Sequence, residues 1–317
     1  MIPFIRQRLT ASLTGLGLLC LFCLLWLLPA GCSQQESAAP EQQNAAATTL
    51  TIGLIPEQNI FAQQKRYEPL LAYLAKQLDV AIKIRILPRY GSIIDNFNEL
   101  GLDGAFFGSF TGALAIDRLG VEPLVRPQYI NGSSTYYGMV FVRKDSGIRT
   151  AQDMRGKRMV FVDKATTAGY LLPLSFFKAL GIEDYTTWFS EYYFSGTHED
   201  AINDVLNGFA DIGAAKDTVF YRMAANDPRI VQELEILATS PAVPANGLAV
   251  RHDLPDNLKQ ALQQQLLTLQ QNDKGREILA ELGFNKFLKT TRADYQPVFD
   301  YAASIGLNLK TYNYFND

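Results

Sequence analysis

Cysteine is nearly absent from this sequence. The 317 residues hold three, Cys20, Cys23 and Cys32, all within the first 32 positions. From residue 33 onward there is no thiol, so no disulfide, no thiolate metal ligand and no cysteine nucleophile can form there. Histidine is almost as scarce. His198 and His252 are the only two, and they lack the spacing of a metal-binding pair. His198-Glu199 has no second histidine four residues on, so the zincin helix is missing. No phosphate-loop lysine pattern occurs. Charge of one sign is lacking too, since 29 Lys+Arg face 32 Asp+Glu for a net −3. That balance argues against a general nucleic-acid binder, which needs a basic face or stripe. Gly108-Ser109-Phe110-Thr111-Gly112 has Phe at its centre where a nucleophile elbow needs Ser. Serine and aspartate are plentiful, so a hydrolase built on one of them stays open on the residues alone.

What is present is a chain 48% apolar and long enough for about two domains and a sizeable core. Arg6 and Arg8 precede an apolar run from Leu16 to Leu28, and no acid occurs before Glu36. A basic start, an apolar stretch and a small-residue junction make an export signal. An uncleaved membrane anchor is the alternative, because about 20 apolar residues span a bilayer. Either arrangement puts the remainder outside the cytoplasmic membrane. The junction Leu28-Pro29-Ala30-Gly31-Cys32 resembles the bacterial lipobox, with Pro29 where leucine is usual. The resemblance implies cleavage after residue 31 and a lipid on Cys32. Loss of residues 1–31 removes two positive charges and no negative ones, leaving −5. Residues 32–49, rich in Gln, Ala and Ser, lack the apolar groups that would offset ordering entropy and read as a tether.

Beyond the tether, Thr49 to Ile55 alternates as a strand, residues 66–78 form a helix with Leu70, Leu71, Leu74 and Leu78 on one face, and Val80 to Leu87 is a second strand. Ser92 to Leu100 is helical, and Asp103 opens a short apolar strand. Residues 159–162, 170–180, 192–194, 199–207 and 211–214 repeat the order strand, helix, strand, helix, strand, with Asp211 in the place of Asp103. Both aspartates read as turn and strand-start residues. Two such units predict two α/β lobes, each a mostly parallel sheet flanked by helices, with a ligand cleft between them. Residues 136–143 and 242–251 read as the two crossings. Lobe 1 is expected over residues 50–137 and 246–317 and lobe 2 over 138–245, with tail helices 258–271 and 274–282 rejoining lobe 1.

Lys164-Ala165-Thr166-Thr167-Ala168-Gly169-Tyr170 joins a strand to a helix. Free N–H groups, the positive end of the helix dipole and two hydroxyls at such a start can accept an anion. The same pattern also serves as an ordinary threonine cap with a packing glycine. Ser195-Gly196-Thr197-His198 is a second small polar turn, from which His198 can donate or simply cap a surface helix. Tyr90 and Tyr136 fall where cleft walls are expected, though packing alone would account for either.

These residues in this order resemble the periplasmic phosphate, phosphite and phosphonate-binding proteins of ABC importers. The resemblance runs from about Thr51 to Arg251 and rests on Ile52-Gly53, Arg66 to Leu70, Tyr90-Gly91, Asp103 to Phe110, Lys144 to Ile148, Gly156-Lys157-Arg158, Thr166 to Pro173, Ser195 to His198 and Gly208 to Ala214. It implies a type II two-lobed fold with a two-strand hinge, no cofactor, no enzymatic activity, and partnership with an ABC permease in the cytoplasmic membrane. A monomer is expected. A tetrahedral phosphorus oxyanion would sit at Thr166, Thr167 and Ala168, with His198, Tyr90, Tyr136, Phe107 and Ser109 around it. Ala168 stands where the family has a third hydroxyl. Of the two acids that aminoalkyl-phosphonate binders place around an ammonium, one matches Asn246 and the other falls near Asp217 or Thr218. A ligand-sensing lipoprotein of the same fold is the alternative function.

Overall fold

The computed structural model describes residues 48–316. The leader, the lipobox and Cys32, and all but the last two residues of the expected tether, lie outside these. Among the described residues no helix is long and apolar enough to cross a membrane.

Among the described residues thirteen strands form two main sheets and a ribbon. In chain order they are β1 (Thr49–Leu54), β2 (Ala81–Ile86), β3 (Gly104–Phe107), β4 (Glu122–Tyr129), β5 (Thr135–Tyr136), β6 (Gly138–Arg143), β7 (Arg158–Phe161), β8 (Glu191–Phe194), β9 (Ile212–Lys216), β10 (Leu234–Thr239), β11 (Val243–Pro244), β12 (Gly247–Val250) and β13 (Phe284–Lys289). The first sheet has the order β13-β4-β12-β3-β1-β2 and the second β10-β6-β9-β7-β8. Each is parallel in one half (β1 with β2 and β3, β7 with β8 and β9) and antiparallel where the crossing strands enter. The chain passes from the first sheet to the second through β5 and back through β11. These two pair antiparallel, Tyr136 opposite Val243 and Thr135 opposite Pro244.

The internal repeat survives in the hydrogen bonds. Asp103 accepts from Thr51 N (2.8 Å) and returns its own N–H to Thr51 O; Asp211 does the same with Arg158 (2.9 Å). Each carboxylate thus ties the start of one strand to its neighbour, as the matching positions suggested. The Ile60–Leu78 helix starts six residues before the position that its leucine spacing marks. Asn59 Oδ1 accepts from Phe61 N and Ala62 N, satisfying two first-turn donors. The Ser92–Leu100 helix is shorter than expected, regular only over Ser92–Asp95.

After the last helix, Gln296–Ser304, the chain runs across elements of both sheets. Arg118 holds Leu309 O and Tyr312 O, and Tyr314 OH donates to Asp95 beside the first sheet. Tyr312 OH donates to Lys164 O and Asn316 Nδ2 to Asp163 beside the second. Gly91 is required here: a Cβ on it would lie 2.5 Å from the Tyr314 ring.

Candidate functional site

The turn after β7 is built around Asp163. Its side chain is fully buried and accepts from Ala165 N (2.7 Å) and Asn316. Its carbonyl accepts from Thr166 N and from the Thr166 hydroxyl (2.6 Å). The helix then opens with a wide turn over Thr167–Leu171, in which Leu171 N reaches back five residues to Thr166 O. Such widened turns leave the first amide groups without intrahelical acceptors. Gly169 is fixed by close approach, since a Cβ there would stand 2.3 Å from Val162 Cβ. Pro173 sits in the first turn of the regular helix Leu172–Ala179, where its missing N–H costs nothing.

A second helix start meets this one from the other sheet. Ser109–Arg118 begins directly after β3, with Gly108 as its cap residue and no side-chain cap. Two uncapped starts, one from each sheet, thus face one enclosed cavity. Ile55, Glu57, Tyr90, Gly108, Ser109, Phe110, Thr111, Tyr136, Ala165, Thr166, Thr167, His198, Lys216 and Asn246 line it. It is small, with about 230 Å³ of space between atoms.

Three buried polar side-chain atoms in this lining have no hydrogen-bond partner: Tyr90 OH, Thr167 Oγ1 and His198 Nδ1. Native interiors leave few such atoms, and each one calls for an explanation such as a bound ion. Three around one cavity is a concentration that packing does not account for. The other hydroxyls are spoken for. Thr166 donates to Asp163 O, Thr111 donates to Gly108 O, and Ser109 donates to Tyr136 OH.

The wall opposite the Thr166–Gly169 turn is an ion pair. Lys216 Nζ, at the end of the fully buried strand β9, lies 2.9 Å from Glu57 Oε1 and 3.0 Å from Asn246 Oδ1. It also stands 4.3 Å from the Tyr136 ring centroid. Burial alone would push the Glu57 carboxyl up, but the Lys216 charge and hydrogen bond outweigh it and hold the group at about 2. Burial would lower the Lys216 ammonium, and Glu57 instead raises it above its ordinary range. Burial pushes the His198 imidazole down to about 3, so it is neutral at pH 7 despite the pull of Glu57. Burial also raises the Tyr90 hydroxyl, which keeps its proton to donate.

The His198 shift has a measurable consequence. The unfolded imidazole takes a proton near 6.5, and the folded one only near 3. As pH falls below 6.5 the unfolded state binds more protons, so stability drops by about 1.4 kcal/mol per unit. Glu57, depressed from 4.5, removes stability only below that value. Urea melts between pH 6.5 and 4.5 should therefore show a steeper loss for the wild type than for His198→Gln; equal slopes would refute the buried neutral imidazole.

Of the residues singled out in the sequence, Tyr90, Ser109, Tyr136, Thr166, Thr167, His198 and Asn246 come together around the cavity. Three others do not line it. Phe107 is buried in the first sheet's core, stacked on Phe97 with 6.2 Å between centroids. Ala168 lies over Gly138 of β6, where a Cβ on the glycine would meet Ala168 Cα at 2.8 Å. Asp217 turns its carboxylate to Tyr137 N (3.3 Å). Glu57, Lys216 and Thr111 were not anticipated. Lys216 could have been suspected as a lone charge ending the run Ile-Gly-Ala-Ala-Lys, and Glu57 from its place at the end of the first strand. Among the described residues no cluster of three or more His, Cys, Asp or Glu side chains could hold a metal.

An interlobe cavity lined by amides and hydroxyls from two α/β bodies is the architecture of a two-lobed solute-binding protein. Solved structures agree on the fold. The binding protein component of an ABC phosphonate transporter from Pseudomonas aeruginosa aligns with a TM-score of 0.76 at 22% identity, covering 82% of this chain and 87% of its own. PhnD1 from Prochlorococcus marinus in complex with methylphosphonate aligns at 0.73 and 23%, covering 81% and 98%. Both have the type II periplasmic-binding fold. The family model for the ABC transporter, phosphonate, periplasmic substrate-binding protein matches residues 52–295, and the chain belongs to that family. The phosphonates-binding periplasmic protein of Escherichia coli K12 is 22% identical over 300 residues, 92% of this chain and 83% of that one. It is a family of transport proteins and not of enzymes.

Proposed function

We propose that this chain captures a small tetrahedral phosphorus oxyanion (phosphate, phosphite or an alkylphosphonate) in the cavity between the sheets and delivers it to an ABC permease. The observation that carries the reading is the set of three unpartnered buried atoms, Tyr90 OH, Thr167 Oγ1 and His198 Nδ1, around one cavity. Two helix starts add amide donors and dipole charge. Neutral donors suffice for an anion because charge-assisted hydrogen bonds are strong in a water-poor site. Methylphosphonate on the Prochlorococcus marinus relative supports the ligand class. Residues 50–137 with 246–317, and residues 138–245, would move as two lobes about the β5–β11 ribbon.

The missing third hydroxyl at Ala168 does not count against this reading, because Ala168 packs on Gly138 away from the lining. Lys216 sets the selectivity. Its ammonium already occupies Asn246, so a ligand ammonium arriving there would meet a like charge in place of a carboxylate. Calorimetry on the full chain should find methylphosphonate, phosphite or phosphate binding at least about tenfold tighter than 2-aminoethylphosphonate, a difference of about 1.4 kcal/mol. Tighter binding of the aminoethyl compound would overturn the selectivity argument.

Lipidation of Cys32 belongs to the same proposal and places the receptor on a membrane at the periplasmic side. Metabolic labelling with palmitate should mark the wild type and not Cys32→Ser; equal labelling would dismiss it.

A further inference from the structure

A second cavity lies on the far side of the Glu57–Lys216–Asn246 wall. All three residues line both spaces. This chamber is the larger of the two, about 640 Å³ against about 230 Å³. Its distinguishing residues are two arginines from opposite sides of the cleft. Arg66 belongs to the Ile60–Leu78 helix against the first sheet, and Arg222 to the Asp217–Asn226 helix against the second. Tyr129 and Phe284 complete the side nearest Arg66.

Neither arginine has a carboxylate partner among the described residues. Arg222 Nη2 donates to the Gln58 side-chain oxygen (2.8 Å), and Arg66 Nη2 to Leu282 O. A guanidinium carries five N–H donors in a planar fork, so most of this capacity is unspent. The lining carries three cations and one carboxylate, and that carboxylate, Glu57, is committed to Lys216. A further acid, Glu199, acts on Arg222 through its charge and accepts from Asn59 N at 3.4 Å. Burial and the neighbouring Arg66 charge push the Arg222 guanidinium down from its ordinary range, outweighing the opposite pull of Glu57, Glu199 and Tyr67. Two half-buried guanidinium groups facing one chamber, neither paired with a carboxylate among the described residues, form a fork suited to a carboxylate or a second phosphoryl group.

We infer that this chamber is a second anion subsite, and that the preferred ligands carry two acidic ends: a phosphorus head for the Thr167–His198 cavity and a carboxylate or phosphoryl tail for Arg66 and Arg222. The inference rests on the oxyanion reading above. Only side-chain ends separate the two spaces, and Lys216 stands between the two anionic groups as a shared cation. A tail held by arginines from both sides would also draw the sheets together, which a short head alone cannot do from this chamber.

The test compares methylphosphonate, phosphonoacetate and 3-phosphonopropionate on the full-length protein by calorimetry. The expected result is that at least one of the two carboxylated compounds binds tenfold or more tighter than methylphosphonate. In Arg66→Gln/Arg222→Gln the ratio of the two affinities should collapse to within about threefold of unity. Reading the ratio keeps the outcome independent of a general loss of affinity, and the wild-type comparison needs no variant to fold. Carboxylated compounds that bind no tighter than methylphosphonate, or an advantage that survives in the double variant, would overturn the subsite while leaving the oxyanion site standing. Absence of binding by all three would overturn both.

Discussion

Replacing Thr167 and His198 together by alanine is expected to abolish the rise in melting temperature that excess methylphosphonate gives the wild type. The two side chains supply two of the three unpartnered polar atoms around the cavity. A hydrogen bond to a charged group contributes about 1.5–3 kcal/mol, so losing both weakens binding by about 10²–10⁴. Ligand at 1,000 times its dissociation constant stabilises by about 4 kcal/mol, and in a chain of this size each kcal/mol raises the melting temperature by about 2–4 °C. A thousandfold loss of affinity removes nearly all of that. The ligand-free melt provides the counter-check. Thr167→Val takes away a buried hydroxyl that has no partner, so it should leave the free protein as stable or slightly more so. A structural hydroxyl would behave in the opposite way. An undiminished shift in the double variant would remove the cavity from consideration as the binding site.

Lys216→Met is expected to have the largest effect on folding stability. Glu57 and Lys216 are both well buried, with side-chain exposures of 15% and 4%. Taking one member from a buried pair leaves the other uncompensated and typically costs about 3–5 kcal/mol. In the wild type the Glu57 carboxyl is depressed to about 2, so the stability it contributes is present above 4.5 and lost as pH falls through about 2. Without Lys216 its largest opposing influence is gone, burial is countered only by the weaker pull of His198 and Arg222, and the carboxyl should rise. The variant should therefore lose most at neutral pH and recover relative to the wild type on acidification. Glu57→Gln added to Lys216→Met should restore much of the loss by neutralising the buried charge. Denaturant melts at pH 7 and pH 5 separate these outcomes; a Lys216→Met protein as stable as the wild type would mean that water reaches Glu57 freely.

Much of this architecture is legible in the residues. Alternation marks β1 and β2, a short apolar run marks β7, and the paired aspartates announce the internal repeat because each has the same local task, tying one strand to the next. β4 escaped notice because Pro123 and Pro127 argue against a strand, and it is paired nonetheless to β12 and β13 with register shifts beside both partners. The site divides along the same line. Thr166, Thr167 and His198 occupy small polar turns before helices, which local chemistry alone identifies. Asp217 and Phe107 were each one residue off. Lys216 ends β9 and Gly108 follows β3, and both line the cavity, while Asp217 opens the next helix and accepts from Tyr137 N, and Phe107 enters the core. The Glu57–Lys216 pair was beyond reach for a different reason. Its partners are separated by 159 residues, and only the folded crossing brings them to 2.9 Å.

The β5–β11 ribbon ties this chemistry to mechanics. It is two residue pairs long, and both of its strands carry the chain between the two main sheets. Any swing of one sheet relative to the other must turn on those few backbone torsions and also shift the tail that is bonded to both. Tyr136 is one of the four residues in the ribbon, and Asn246 follows it by two positions, so both cavity walls are fastened to the axle itself. A guest that pulls on either side chain acts on the pivot without a relay. If the halves move as proposed, occupancy bears on the angle between them from beside the pivot, and that angle alters the outer outline a partner meets.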